Sequence, residues 1–360
     1  TWREGDSKAS KSTAKERIQL SNKPLCRCIF PWSGFQRLAW SFIPDGKTNH
    51  SPIRIQLTAG HSDRSHYFKF TVHTRTLYDM DKTNEVLGND GDITQLHTET
   101  GKAWDEASGQ YTRELDAAVA KLEAGIANLM EPEIGHLTRL LSSGGDVLHV
   151  QCAGGTDTLS ILLVGASTVT GTDISPNMLA VAEEKAARLN LDAEWVLADT
   201  ARLPESLHNR FELVYTGRGA LNWMMDINVW ARNVCACVRP LGHLFIFEGH
   251  PLDWVWDETA RALQIHPDYG GYFDTNVASD TEWPTSYIDA DMEPVAGWSK
   301  KHERQWTLGE VVTAVAQQGM IIEVLSEHPE YYWDAHPLLP WDEMKKLPHT
   351  YVLIARKPAE

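Results

Sequence analysis

Two glycines and one acid carry the first chemical signal in this chain. Gly154 and Gly155 follow the short apolar run Val147 to Val150, within the turn Cys152-Ala153-Gly154-Gly155. Lacking a Cβ, both let the backbone turn sharply and approach a ligand closely. An apolar helical stretch, roughly Asp157 to Val164, comes next. It offers unpaired N–H groups and a positive dipole end to a polar or anionic ligand. A second run, Thr168 to Thr172, ends in Asp173. An acid at such a strand tip can accept hydrogen bonds from both ribose hydroxyls of an adenosine. Strand, glycine turn, helix and acid-tipped strand make half of a nucleotide-binding crossover, and an ordinary crossover without a ligand is the competing reading.

The elements that must hold these residues can be read on either side. Upstream, Leu115, Val119, Leu122, Ile126 and Met130 recur at helical spacing and predict a helix over 113–130. Pro132 and Gly135 then punctuate, with a short helix expected over 134–141. Downstream, Ser175-Pro176 caps and starts a helix to about Leu189, proline being tolerated in the first turn. Strands are expected over 193–197, 211–216 and 243–248, with a helix over 227–238 before the last of them. Thr307 and Glu310 form a capping box for a helix to Gln318, and Gly319 ends it. Met320 to Leu325 and Tyr351 to Ala355 read as the last two strands.

The string from Val169 to Leu179, V-T-G-T-D-I-S-P-N-M-L, closely resembles the second motif of class I S-adenosylmethionine-dependent methyltransferases. Against that family's first motif, L-D-L-G-C-G-x-G, Leu148 to Gly155 reads L-H-V-Q-C-A-G-G. His149 replaces the usual acid, and Gln151 and Ala153 replace usual glycines. His149, Gln151, Cys152, Gly155 and Asp157-Thr158-Leu159 are similar to a small-molecule, methyltransferase-domain 11/25-like branch that carries H-L-Q-C-x-x-G-x-D-T-L. Asp199 to Pro204 resembles the family's D-x-x-x-L-P motif, Phe211 to Thr216 its fourth strand, and Arg239-Pro240-Leu241-Gly242 its K/R-P-G-G turn. Trp104 to Tyr111, W-D-E-A-S-G-Q-Y, looks like the family's N-terminal cap.

That resemblance implies an α/β, doubly wound Rossmann-like sheet of seven mostly parallel strands with an antiparallel last strand. It implies S-adenosyl-L-methionine as cofactor, with S-adenosyl-L-homocysteine as product. The cofactor contacts it implies are Tyr111, Gln151, Cys152, Ala153, Gly154, Gly155, Asp173, Ile174, Met178, Asp199, Thr200, Ala201 and Thr216. Its substrate side is expected at Trp104, Arg218, Asn222, Trp223 and Trp254. The candidate base is His250, just beyond the fifth strand, with Glu248 two residues earlier on the same strand face.

Composition sets the frame. The chain has 360 residues, 42% apolar and 23% charged, room for one large domain or two smaller ones. A net charge of −16 argues against binding nucleic acid through phosphates, or an anionic membrane surface. Five cysteines in no regular framework suit a reducing, cytoplasmic compartment, and Cys26/Cys28 and Cys235/Cys237 are too closely spaced for a usual zinc site. No metal is expected, and a monomer or homodimer is. Residues 1–79 carry 13 Lys and Arg against 6 Asp and Glu, while the rest has 20 against 43, and every methionine lies at or after Met80. That basic leader, without sustained periodicity, reads as upstream sequence not native to the fold, a targeting segment or an accessory arm. A cap over 80–145, the cofactor core over 146–249 and a C-terminal helix with two strands over 307–360 complete the division.

Residues 250–306 form an aromatic insertion, expected as a lid: Trp254, Trp256, Tyr269, Tyr272, Phe273, Trp283, Tyr287, Trp298 and Trp306, interspersed with acids. A second cluster, Tyr331-Tyr332-Trp333 with Trp341, lies between the last two strands. Rings favour a sulfonium over their faces, and the acids suit a neutral or cationic small acceptor with an amine or aromatic part. Two rivals stand beside methyl transfer. A dinucleotide oxidoreductase needs G-x-G-x-x-G, which the adjacent glycines do not make. A non-catalytic relative would bind the nucleoside without turnover.

Overall fold

The computed structural model describes residues 39–41, 54–62, 65–73 and 90–359, apart from 258, 268–269, 275, 285–286 and 334–335. The chain divides into two units, Thr1–Thr83 and Asn84–Glu360. The first contains an antiparallel sheet of β1 (Ala39–Ser41), β2 (Arg54–Ser62) and β3 (Ser65–His73), in that order. Ile55 and Leu57 alternate with polar residues, as do Phe68, Phe70 and Val72, so a period of two runs through a segment read as having none. The rest of the leader, Cys26, Cys28 and the composition break at Met80 lie outside the described residues.

The second unit is built on seven strands in the order β11-β12-β8-β7-β4-β5-β6. They are β4 (Asp146–Val150), β5 (Thr168–Asp173), β6 (Glu194–Leu197), β7 (Phe211–Gly217), β8 (Val238–Gly249), β11 (Ile321–His328) and β12 (Thr350–Arg356). Strands β4 to β8 run parallel, and β12 is antiparallel to both of its neighbours. The expected doubly wound sheet with one reversed strand is therefore the one observed. Chain order reverses at β4, between β5 on one side and β7 on the other, where open α/β sheets leave a crevice at their carboxyl ends.

Both faces of the central strands are buried, which is why they read as continuous apolar runs. On β8, Leu244 and Ile246 pack on one side with Trp230 of α6 (Ile227–Cys237) and Val311 and Val315 of α7 (Leu308–Gln317). Phe245 and Phe247 face the other side with Leu137 of α3 (Glu131–Leu140) and Ile161 of α4 (Thr156–Leu163). Burying each such side chain contributes about 1.5–3 kcal/mol. Helix α5 (Pro176–Leu189) follows β5, capped by Ser175, whose Oγ accepts the Met178 N–H at 3.1 Å.

The N-terminal helices depart from the periodicity. Helix α1 runs from Asp90 to Arg113 and absorbs the W-D-x-x-A-x-x-Y segment, while α2 (Leu115–Glu123) stops well short of Met130. Gly125, at φ 72°, ends it: the N–H groups of Gly125 and Ile126 turn back onto the carbonyls of Leu122 and Lys121. Pro132, expected as punctuation, instead sits in the first turn of α3, and Gly135 lies inside that helix.

Among its described residues the insertion carries a short antiparallel pair, β9 (Val277–Asp280) and β10 (Lys301–Arg304), and two single 3-10 turns, with α8 (Trp341–Met344) following later. Trp306, grouped by sequence with the insertion's rings, belongs to the core, its Nε1 donating to the Met224 carbonyl at 2.9 Å. Among the described residues no helix is long and apolar enough to cross a membrane.

Candidate active site

The glycine turn after β4 is left-handed at three positions: Gln151 (φ 58°), Ala153 (φ 45°) and Gly155 (φ 74°). The two that replace usual glycines thus keep a glycine's backbone, a conformation costing about 1–3 kcal/mol where a side chain is present. Local bonds offset that strain. Gln151 Nε2 donates to the Ala220 carbonyl at 2.7 Å, and its Oε1 accepts from Trp230 Nε1 at 3.3 Å. The Cys152 N–H donates to the Thr172 carbonyl. Below the turn, the Lys185 ammonium donates to the Gly154 carbonyl at 2.7 Å and to Thr156 Oγ1 at 2.9 Å. Burial lowers its pKa to about 8. A Cβ on Gly155 would stand 2.6 Å from the Ala182 methyl, so that glycine is required by space as well as by φ.

Asp173, at the tip of β5, is buried and accepts the N–H groups of Ala153 (2.8 Å) and Ser175 (2.9 Å). Burial outweighs those bonds and lifts its pKa to about 6. Each oxygen takes one backbone N–H, which leaves lone pairs for a ligand's hydroxyls in the cavity it lines. Asp199 ends the next crossover. Burial disfavours its charge, but His97 and the Ala201 N–H outweigh that and hold its carboxyl below the usual range. His97 Nε2 accepts the Met225 N–H, so its proton sits on Nδ1, facing Asp199 at 2.9 Å.

Helix α1 is fastened over this end. Asp105 accepts from Ser175 Oγ (2.7 Å) and the Asn177 N–H (2.9 Å), which explains the acid of the W-D segment. A Cβ on Gly101 would meet Ile174 at 3.1 Å. Tyr111 lies against Gly154, and its hydroxyl is 2.5 Å from that of Tyr287 in the insertion.

Beyond β7 the chain turns through Arg218 (φ 61°) and Gly219 (φ 87°). Glu248 holds this loop, accepting the N–H groups of Gly219 (2.7 Å), Ala220 (2.7 Å) and Leu221 (3.1 Å). Burial raises its pKa against those bonds. The Arg218 guanidinium pairs with Asp157 and donates to the Asn128 carbonyl, with the buried Glu133 3.9 Å away. Burial lifts the Glu133 pKa to about 7 and depresses that of His149, whose Nδ1 meets Thr158 Oγ1, to about 4.

One cavity of about 800 Å³ joins these parts. It brings together Tyr111, Gln151, Cys152, Ala153, Gly154, Gly155, Asp173, Ile174, Met178, Asp199 and Thr200 with Trp104, Arg218, Asn222, Trp223 and Trp254. Four expected residues are not brought in. Ala201 is engaged elsewhere, its N–H donating to Asp199 and its carbonyl accepting from Asn233 Nδ2. Thr216 is buried within β7. Glu248 is occupied by the loop it holds. His250 is the clearest correction: its Nδ1 accepts the Leu252 N–H at 3.1 Å, so the proton is on Nε2, 2.9 Å from Glu327 of β11. Its ring lies against Tyr351 rather than the cavity. A histidine before proline closes the strand end here.

The far end of the cavity was only partly anticipated. Trp283, Tyr287, Tyr332 and Trp333 line it together with Asp280, Glu282, Lys301 and Glu303. Their aromatic character is visible in the sequence, but their convergence is not. Tyr332 Oη lies 3.1 Å from where a Cβ on Gly219 would stand. His97 has a sequence signal that went unread: with Gly101, Trp104 and Tyr111 it falls at helical spacing.

Residues 147–242, from the first strand to the turn inside β8, match the family model described as Methyltransferase domain. No curated protein matches the chain. Several solved structures resemble part of the chain. An S-adenosylmethionine-dependent methyltransferase from Mesorhizobium loti is 22% identical, covering 62% of this chain and 96% of its own, with a TM-score of 0.44. A related enzyme from Methanosarcina mazei is 16% identical over 62% and 98%, at 0.44. A geranyl diphosphate methyltransferase, solved with its substrate and sinefungin, is 14% identical over 63% and 78%, at 0.41. With the fold, the glycine turn and the matched segment in place, residues 147–242 carry a methyltransferase domain. The matching model is that of methyltransferase domain 25, over this segment.

Proposed function

We propose that the protein transfers the methyl group of S-adenosylmethionine to a small molecule held in the aromatic end of the cavity. One observation carries this reading: the Asp173 end and the Trp104–Trp283 end belong to a single cavity of about 800 Å³, within the size range of small-molecule sites. Asp173 has lone pairs left for the ribose, and Ile174 and Met178 supply apolar surface for the adenine. Asp199 and Thr200 border its edge, and Tyr111 with the glycine turn borders the methionyl end. When bound, the cofactor supplies an electrophilic methyl on a sulfonium.

The chain's own residues do the rest. The loop held by Glu248 sets the floor of the transfer site, and the rings of Trp104, Trp223 and Trp283 exclude water and aim the acceptor. The insertion over 250–306 acts as the lid. Its Asp289 and Asp291 pair with Arg113 of α1, and its Ser299 with Glu106. Glu248 and His250 are both otherwise engaged, so neither serves as base.

Calorimetry with S-adenosylhomocysteine tests the cofactor half; a micromolar dissociation constant, roughly −8 kcal/mol, is expected. Methyl release from labelled S-adenosylmethionine across a panel of small acceptors tests the transfer. Binding without turnover on any acceptor would favour the non-catalytic nucleoside-binding alternative.

A further inference from the structure

The aromatic end of the cavity has the electrostatics of a cation site. Trp104 stands nearly perpendicular to Trp223 and Tyr287, at 83° and 89°, and at 69° to Trp283, with centroids 4.8 to 6.1 Å away. These are edge-to-face contacts that tie the four rings into one cluster, and all four line the cavity. Asp280, Glu282 and Glu303 reach the same end of the cavity. Lys301, which lines it too, does not cancel them. Its ammonium lies 2.6 Å from Asp280 and 3.0 Å from Glu303, one positive charge between two negative ones. It also sits 5.5 Å above the Trp283 ring, so the protein already places a cation on one of these faces.

We propose, building on the methyltransferase reading above, that the acceptor is a cationic amine. Its ammonium lodges among Trp104, Trp223, Trp283 and Tyr287, with Glu303 as its counter-charge. Glu303 is oriented for this by Asn222, whose Nδ2 donates to Oε2 at 3.2 Å. Before transfer the ammonium gives one proton to the Glu303 carboxylate, which passes it to water. The freed nitrogen lone pair then forms the new N–C bond while the methyl–sulfur bond breaks and its electron pair stays on sulfur. The methylated product is again a cation. A neutral flat acceptor is the competing occupant, and it would have to use Trp283 and Tyr287, the one near-parallel pair among these four rings, at 21°.

The test uses the full chain saturated with S-adenosylhomocysteine, whose sulfur is neutral, so the sulfonium makes no contribution. Choline and its uncharged isostere 3,3-dimethylbutan-1-ol are titrated by calorimetry or tryptophan fluorescence. Choline is expected to bind at least about tenfold more tightly. Glu303→Gln and Trp283→Leu should each reduce that ratio to about threefold or less while S-adenosylhomocysteine affinity is retained. Equal binding of the two isosteres by the wild-type protein, or displacement of choline by indole at lower concentration, overturns the proposal. Failure of S-adenosylhomocysteine to bind at all is a separate result and removes the methyltransferase reading, with this inference built on it.

Discussion

The two ends of the cavity are made by different means. At the Asp173 end, a carboxylate is fixed by backbone N–H groups two and twenty residues away, beside a turn with three left-handed residues. At the Trp283 end, side chains arrive from α1, the loop after β7, the insertion and the segment between β11 and β12. The first is a local device that any chain with the same crossover reproduces. The second is a tertiary assembly, free to change wall by wall. A fold built this way keeps its cofactor and varies its acceptor.

Perturbing each end separately breaks or sharpens this contrast. The largest effect is expected from Glu248→Leu, which strips three backbone N–H groups of their acceptor in a buried loop. At about 1–3 kcal/mol for each orphaned donor, the melting temperature should fall on the order of 10 °C. Thermal denaturation showing no change would mean that Glu248 is not the loop's support.

Next comes Asp173→Ala. Loss of the ribose acceptor should weaken S-adenosylhomocysteine by about 1.5–3 kcal/mol, roughly 10- to 150-fold, measured by calorimetry. Unchanged affinity would remove the ribose assignment and with it the local character of this end.

The same carboxyl predicts a pH signature of middle size. Its folded pKa, raised to about 6 by burial, lies above the ordinary aspartate value of 3.8. The native state therefore holds the proton more tightly than the unfolded chain, and this group's contribution to stability is lost as pH rises through about 6. Its capacity to accept ribose hydroxyls runs the other way. S-adenosylhomocysteine affinity should weaken as pH drops below about 6, by up to about tenfold per unit, while Asp173→Asn shows a flat profile. A wild-type profile as flat as the variant's would show that the charged form is not the binding form.

The smallest effect belongs to His250→Ala. With the imidazole engaged by Leu252 and Glu327, turnover should change by less than about threefold and stability by about 1 kcal/mol. A loss approaching a hundredfold, the scale of general-base removal, would restore His250 to the acceptor site.

Much of the fold was legible because its signals are short-range. The capping box at Thr307 and Glu310, the Ser175-Pro176 helix start and the apolar strands each depend on residues within one or two turns, and all are found in place. The glycine turn and Asp173 belong to the same category: two consecutive elements fix their distance, and the segment's chemistry can be read in order. His250 was misread because a strand end offers two faces to its next residue. The ring lies against Tyr351 and beside Glu327, both more than seventy residues later in the chain.

The sequence by itself determined the crossover, the cofactor turn and the aromatic and acidic content of the insertion. Tertiary structure alone decided which of those rings meet. Trp306 went to the core, Phe273 to solvent, and Trp283 and Tyr287 to the cavity, though all four lie in one stretch of similar composition. Composition selects which residues can form a wall, but burial is awarded by shape. The partners that shape this one, Trp104, Trp223 and Trp333, come from α1, the loop after β7 and the segment between β11 and β12. No local period connects them, so only the closed fold could bring their faces together.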